Sequence, residues 1–190
     1  MITLPTLLHE FECIFNFYLI GILLHCFIDF STMNFSVKNS DIMEKIKKYE
    51  VTCISNRFEY CFYSIGSRGS IKKVAQFIES PVKRIYQFRF GDINETTGVI
   101  DEYAVTNNHD TTMVLNTIVW ILYDFLNRFP TRLVRFSGST NVRTRLFLMW
   151  LTSNWNFSNK YFVIFGSKTN EHWERYKLNV HYNALLIKKK

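Results

Sequence analysis

The run Gly138-Ser139-Thr140-Asn141-Val142-Arg143-Thr144-Arg145 holds the residue types from which an anion site is built. A strand that runs into Gly-Ser-Thr at a helix start presents free backbone N–H groups and the positive helix end. Thr140 is the expected N-cap. A capping box would place Glu or Gln at the third helical position, where this chain has Arg143. An arginine in the first turn opposes the helix macrodipole and is tolerated best beside an anion or a carboxylate. Arg143 and Arg145 project about 200° apart around a helix. Both reach one ligand only by curling back; otherwise one of them pairs with a buried acid, with Asp92, Asp101 and Glu102 as the partners on hand. Gly138, Ser139, Thr140, Arg143 and Arg145 are therefore the candidate anion-binding residues, with structural pairing as the alternative. The Gly-x4-Gly-Lys spacing of a P-loop is absent. Ser139 also lacks the GxSxG elbow of a hydrolase nucleophile, so no catalytic residue is assigned.

Charge is segregated along the chain. Six acids and no Lys or Arg lie between Phe90 and Asp124: Asp92, Glu95, Asp101, Glu102, Asp110 and Asp124. Seven bases and no acid lie between Phe125 and Asn170: Arg128, Arg132, Arg135, Arg143, Arg145, Lys160 and Lys168. The two blocks either pair with each other or leave a basic face for an anionic partner. On the second reading Arg128, Arg132 and Arg135 contact nucleic acid. So do Arg68, Lys72 and Lys73, which sit at or beside the turn Gly66-Ser67-Arg68-Gly69; the alternative there is an ordinary exposed turn. Tyr60, Phe62, Tyr86, Phe88 and Phe90 could offer bases a stacking face or simply fill a core. His109 beside Asp110 could act as an acid–base pair, but Asn-Asn-His-Asp is better read as turn and cap chemistry.

Cysteine and histidine point away from metal and disulfide chemistry. Cys13, Cys26, Cys53 and Cys61 show no CxxC spacing, and none follows residue 61. Reduced thiols and a cytoplasmic location are the expectation. The five histidines form no HxxxH or HExxH pair, so neither a metal nor a cofactor is expected.

These residues must be positioned by a single domain. The chain has 190 residues, of which 47% are hydrophobic and 21% charged, which excludes wholesale disorder. Residues 1–32 stand apart. They carry none of the 23 Lys and Arg but three of the 16 acids, Glu10, Glu12 and Asp29, so the net charge of +7 becomes +10 for 33–190. Within them 13–28 is an apolar run of 16 residues, shorter than the roughly 18–20 of a comfortable span. Three readings stand for 1–32: a helix packed on the domain, a weak membrane anchor, or an upstream extension with Met33 as the true start. The abrupt change at Met33 favours the third, and membrane contact through 13–28 stays open.

From residue 33 on the pattern predicts an α+β domain: a largely antiparallel sheet packed by two main helices. A short helix is expected over 40–48 and strands over 57–64, 70–78, 85–90 and 99–106, with turns at 66–69 and 91–98. A helix over 111–129 presents Leu115, Ile118, Val119, Leu122, Phe125, Leu126 and Phe129 on one face. Pro130 stops it. A strand over 133–136 leads to a helix over 141–153, with Val142, Leu146, Met149, Trp150 and Ser153 on its stripe. Strands over 161–165, 173–176 and 182–187 complete the domain, and the strand–helix–strand middle could add one parallel pair.

The segments SIGSRGSIKKVAQF, FRFGDINETTGVID, TNNHDTTMVLNTIVWILYDF, RFSGSTNVRTRLF and HYNALLIKKK, in this order, cover roughly residues 49–190. In them the chain resembles an uncharacterised domain-of-unknown-function family of small bacterial proteins, mainly from Bacteroidota. The GST-x-x-R-T-R-L-aromatic segment is the most specific piece. The resemblance implies a start near residue 49 with no long leader, a usual Asn-Asn-Gly-Asp at 107–110, and often Pro at the position of Asn141, as suits the first residue of a helix. It implies no activity.

The expected function is binding of an anionic partner, nucleic acid, through an Arg-rich surface, in the setting of a toxin–antitoxin or defence component. Two alternatives stand beside it. One is a protein-interaction module, with a small protein partner or self-association through the acidic and basic surfaces. The other is a small phosphoryl- or nucleotide-handling enzyme at 138–145.

Overall fold

A tight turn at Ser67-Arg68 folds two long strands onto each other. In the computed structural model, which describes residues 43, 45–54, 58–94, 96–138, 140–169 and 172–190, these are β2 (Glu59–Gly66) and β3 (Gly69–Glu79). Their register pairs Tyr60 with Ala75 and Gly66 with Gly69. Strand β1 (Thr52–Ile54) adds to β2, and β4 (Ile85–Ile93) adds to β3, both antiparallel. After β4 the chain makes a short ladder, β5 (Ile100–Asp101), and enters α1 (Thr111–Arg128). It returns as β6 (Leu133–Phe136), parallel to β4, which is the one parallel pair among the described residues. Helices α2 (Asn141–Ser153) and α3 (Trp155–Tyr161) follow, then β7 (Phe162–Ser167), β8 (Glu174–Arg175) and β9 (Ala184–Lys189). The order across the sheet is β1-β2-β3-β4-β6-β9-β7-β8, with β5 on β4. The mostly antiparallel sheet with its helices is the α+β class expected. All described residues belong to one compact unit, Ser40–Lys190.

One sheet face carries the core. Alternation places Tyr60, Phe62, Ala75, Phe77, Tyr86, Phe88, Val134, Phe136, Ile164 and Ile187 inward, all buried. Helix α1 lays Ile118, Ile121, Leu122 and Phe125 against them, and Phe125 stacks on Phe77 with ring centroids 3.8 Å apart. Removing a ring at this position costs about 3–5 kcal/mol. The aromatic strand residues are thus core and not a stacking face: Tyr60, Phe62, Tyr86 and Phe88 are each at most 3% exposed.

Four local expectations are corrected. The strand over 99–106 shrinks to β5, because the Asp101 carboxylate accepts from the N–H groups of Tyr103 and Ala104 and turns the chain out of the ladder. Strand β4 instead runs on through Gly91 to Ile93. Helix α3 and strand β1 carry no periodic signal, being only 7 and 3 residues long. On α2 the buried stripe is Thr144, Phe147, Leu148, Trp150 and Leu151, set by Phe147 stacking on Phe136 at 3.9 Å; Val142 is 60% exposed. The 1–32 leader falls wholly outside the described residues; of the expected 40–48 helix, 43 and 45 are helical while 46–48 are not. Among the described residues no helix is long and apolar enough to cross a membrane.

Candidate functional site

The start of α2 is built as expected up to its arginines. Thr140 is in extended backbone and its Oγ1 accepts from Arg143 N–H. Gly138 N–H donates to Thr144 Oγ1 at 2.9 Å, and a Cβ on Gly138 would lie 2.6 Å from Thr144 N, so the turn needs glycine. The Arg143 guanidinium turns onto the 102–104 loop and donates to the carbonyls of Glu102 and Ala104. Two of its partners are therefore backbone carbonyls. Asp92 pairs with Lys73, Asp101 caps its own turn, and Glu102 pairs with Arg89. Arg145 is exposed. Ser139 lies outside the described residues.

At the hairpin tip Arg68 is exposed and Lys72 half-buried. Lys73 departs from the surface role expected of it. It faces the core side, 5% exposed, and donates to Asp92 and, at 2.8 Å, to Thr106. This alternation follows from the Phe62–Lys73 register, which fixes Lys73 inward. The loop 107–110 docks on the same tip. Asn108 donates to Ser64 Oγ and the Gly69 carbonyl and accepts from Arg68 N–H. Ser67 Oγ and His109 Nδ1 are 2.8 Å apart, a spacing that suits a nucleophile and base. The neighbouring Asp110 carboxylate accepts from Tyr49 (2.7 Å) and Ser64 (2.6 Å). Burial and this carboxylate push the Tyr49 hydroxyl above its ordinary range. His109 sits at φ 58°, the left-handed region that glycine occupies without strain, which accounts for the Gly implied there by the resemblance.

The 128–135 arginines differ among themselves. Arg128 pairs with Asp124 at 2.7 Å, and the same carboxylate oxygen accepts from Tyr60 at 3.0 Å. Arg132 lays its guanidinium over Tyr86 at 4.6 Å and Phe129 at 4.7 Å. Arg132 Nη1 and Arg135 Nε are buried, with no hydrogen-bond acceptor among the described residues. Arg132 and Arg135 occupy β6 or its approach, next to the open sheet face.

An open cleft of about 610 Å³ lies there, at the edge where β4 and β6 begin and β9 ends. Arg84, Arg132, Lys188 and Lys189 line it together with Pro130 and Thr131, while Leu133, Leu186, Phe165 and Trp173 supply its apolar surface; no acid contributes. The register explains the gathering. Leu133 pairs with Lys188, and Leu186 with Phe165, so these side chains share the face opposite the helices. Arg84 holds φ 69°, with its carbonyl accepting from Leu133 N–H at 2.9 Å. Of these residues, sequence reading found only Arg132. Beyond its neighbours Pro130, Thr131 and Leu133, the lining comes from four separate segments, and strand order unites them.

Among the described residues no cluster of three or more His, Cys, Asp or Glu could hold a metal. Cys53 and Cys61 are free thiols.

No curated protein and no solved structure matches the chain. A family model matches residues 45–190. That match runs from just before β1 through β9 and takes in both the hairpin with its docked 107–110 loop and the whole cleft. Over this span the chain belongs to DUF6934, a family of unknown function.

Proposed function

We propose that the domain binds nucleic acid through the basic surface of its open sheet face. The observation that carries this reading is the cleft lined by Arg84, Arg132, Lys188 and Lys189 with no acid among its lining residues. Four cations held together without a counter-charge repel one another, and a polyanion relieves that repulsion. The fate of the acids supports the same reading. Asp92, Glu102 and Asp124 are engaged by Lys73, Arg89 and Arg128, while Asp101 and Asp110 accept from backbone or hydroxyl donors. Fewer free carboxylates remain to pair with a basic surface on another chain, which supports a polyanion over an interaction module as the partner.

The test uses the whole chain with RNA and DNA oligonucleotides over a salt series. Each phosphate neutralised adds close to one to the slope of log K against log salt, so contacts from three or four cations give a slope of about −3. Arg84→Gly is the decisive variant. It removes a cation and also relieves a left-handed backbone, so it should melt no lower than wild type yet bind more weakly with a shallower salt slope. Absence of binding to any RNA or DNA at low salt would sink the reading.

A further inference from the structure

We infer that the cleft takes an unpaired nucleotide, with its base against Trp173 and its phosphates on Arg84, Lys188 and Lys189, so that the domain selects single strands over duplex. This rests on the nucleic-acid reading above and adds what part of the ligand enters the cleft.

The observation that points to a stacking ligand is Trp173. The chain has four tryptophans, and three have partners for their rings: Lys48 lies over Trp120, Trp150 meets Phe157 and donates to Asn116, and Trp155 meets Tyr176. Trp173 makes no ring, cation or hydrogen-bond contact among the described residues and is outside the core, yet it lines the cleft. A half-buried indole with neither a ring partner nor an acceptor for its N–H offers a flat apolar face and a donor at the same place. Arg132 also lines the cleft, but its guanidinium packs over Phe58, Tyr86 and Phe129 on the core side, so it adds bulk to the wall and is not assigned a ligand contact.

Size and chemistry then choose the strand state. About 610 Å³ is in the range of small-ligand sites, suited to one or two nucleotides and not to a duplex. Bases within a duplex are stacked on each other and present no face to an indole, whereas unpaired bases stack on aromatic side chains and on arginine planes. Arg84 stands at the start of β4 and Lys188 and Lys189 at the end of β9, between β6 and β7, with Trp173 beyond β7. A strand running from Arg84 toward Trp173 meets the lysines on its way.

The experiment titrates the full chain at low salt with unstructured twelve-nucleotide oligo(U) and oligo(dT) and with a blunt twelve-base-pair duplex. Tryptophan fluorescence and anisotropy are read together. The single strands should bind at least tenfold tighter than the duplex and quench tryptophan emission. Trp173→Leu should weaken single-strand binding by about ten- to a hundredfold, leave duplex binding as it was, and leave the melting temperature unchanged. Equal binding of single strand and duplex, with no loss in Trp173→Leu, would overturn this inference while the nucleic-acid reading stands. No binding of either would overturn both.

Discussion

Replacing Arg143 with alanine separates a clasp from an anion site. The guanidinium donates two charge-assisted hydrogen bonds, to the carbonyls of Glu102 and Ala104, and so ties the start of α2 to the loop that follows β5. Hydrogen bonds to a charged group are worth about 1.5–3 kcal/mol each. Arg143 is only half-buried, so the lower part of that range applies, and the pair amounts to about 3 kcal/mol. For a chain of this size 1 kcal/mol moves the melting temperature by about 2–4 °C. Arg143→Ala should therefore melt about 6–12 °C lower. Arg145→Ala supplies the control, because Arg145 leaves the same helix on an exposed face. Its stability should stay within about 0.5 kcal/mol of wild type. Arg143→Lys should recover only part of the loss, since one ammonium lacks the fork that spans two carbonyls. Thermal melts and urea titrations of the three variants decide the matter. If Arg143→Ala melts like wild type, the clasp reasoning is wrong. If it also loses affinity for inorganic phosphate, the anion site expected from sequence at Gly138, Ser139, Thr140, Arg143 and Arg145 takes its place.

Three further outcomes follow from the geometry. Asp92→Asn should cost about 3–5 kcal/mol in urea unfolding, because it strands the buried Lys73 ammonium; a loss below about 1 kcal/mol would show that this lysine finds water or another acceptor. His109→Gly should raise stability by about 0.5–1 kcal/mol through relief of φ 58°, and a lower melting temperature would mean that the Ser67–His109 contact outweighs the strain. Burial and the nearby Asp124 hold the Tyr60 hydroxyl well above its ordinary range. The unfolded chain then releases that proton first, so this stability is fully present below about pH 10 and declines above it. The decline amounts to about 1.4 kcal/mol per pH unit for one withheld proton. Tyr60→Phe should flatten the alkaline arm of a stability-against-pH curve, and an unchanged slope between pH 10 and 11 would count against the assignment.

What could be read from the residues divides along a physical line. Local patterns were sufficient wherever an element buried a face by itself. The helix over 141–153 matched to the residue, because Thr140 caps it and Asn154 closes it. The hairpin at 66–69 matched because a two-residue turn between alternating strands admits one register. Polar side chains that reach across the chain decided the rest. Asp101 ended β5 by capping its own turn, and Arg143 found two carbonyls some forty residues upstream. Sequence points to an anion or a carboxylate as the partner there, because it shows charges and hides carbonyls. Lys73 was misread for a related reason. Two adjacent lysines on a strand point to opposite faces, and which of them lies inward depends on the partner strand.

The cleft shows why charge blocks along a sequence are a weak guide to a site. Segregation of acids at 90–124 from bases at 125–170 suggested one basic face made by the second block. In the fold, Arg128 is held by Asp124 and Arg143 by backbone, so the block supplies only Arg132 to the lining. The other cations come from Arg84, ahead of β4, and from Lys188 and Lys189 at the end of β9. They meet because β6 lies between β4 and β9, parallel to the first and antiparallel to the second. That placement brings the start of β4, the start of β6 and the end of β9 to one edge. A basic residue at any of these three termini adds to the same patch however far apart they are in sequence, and Trp173 joins them through β8 at the far side of β7.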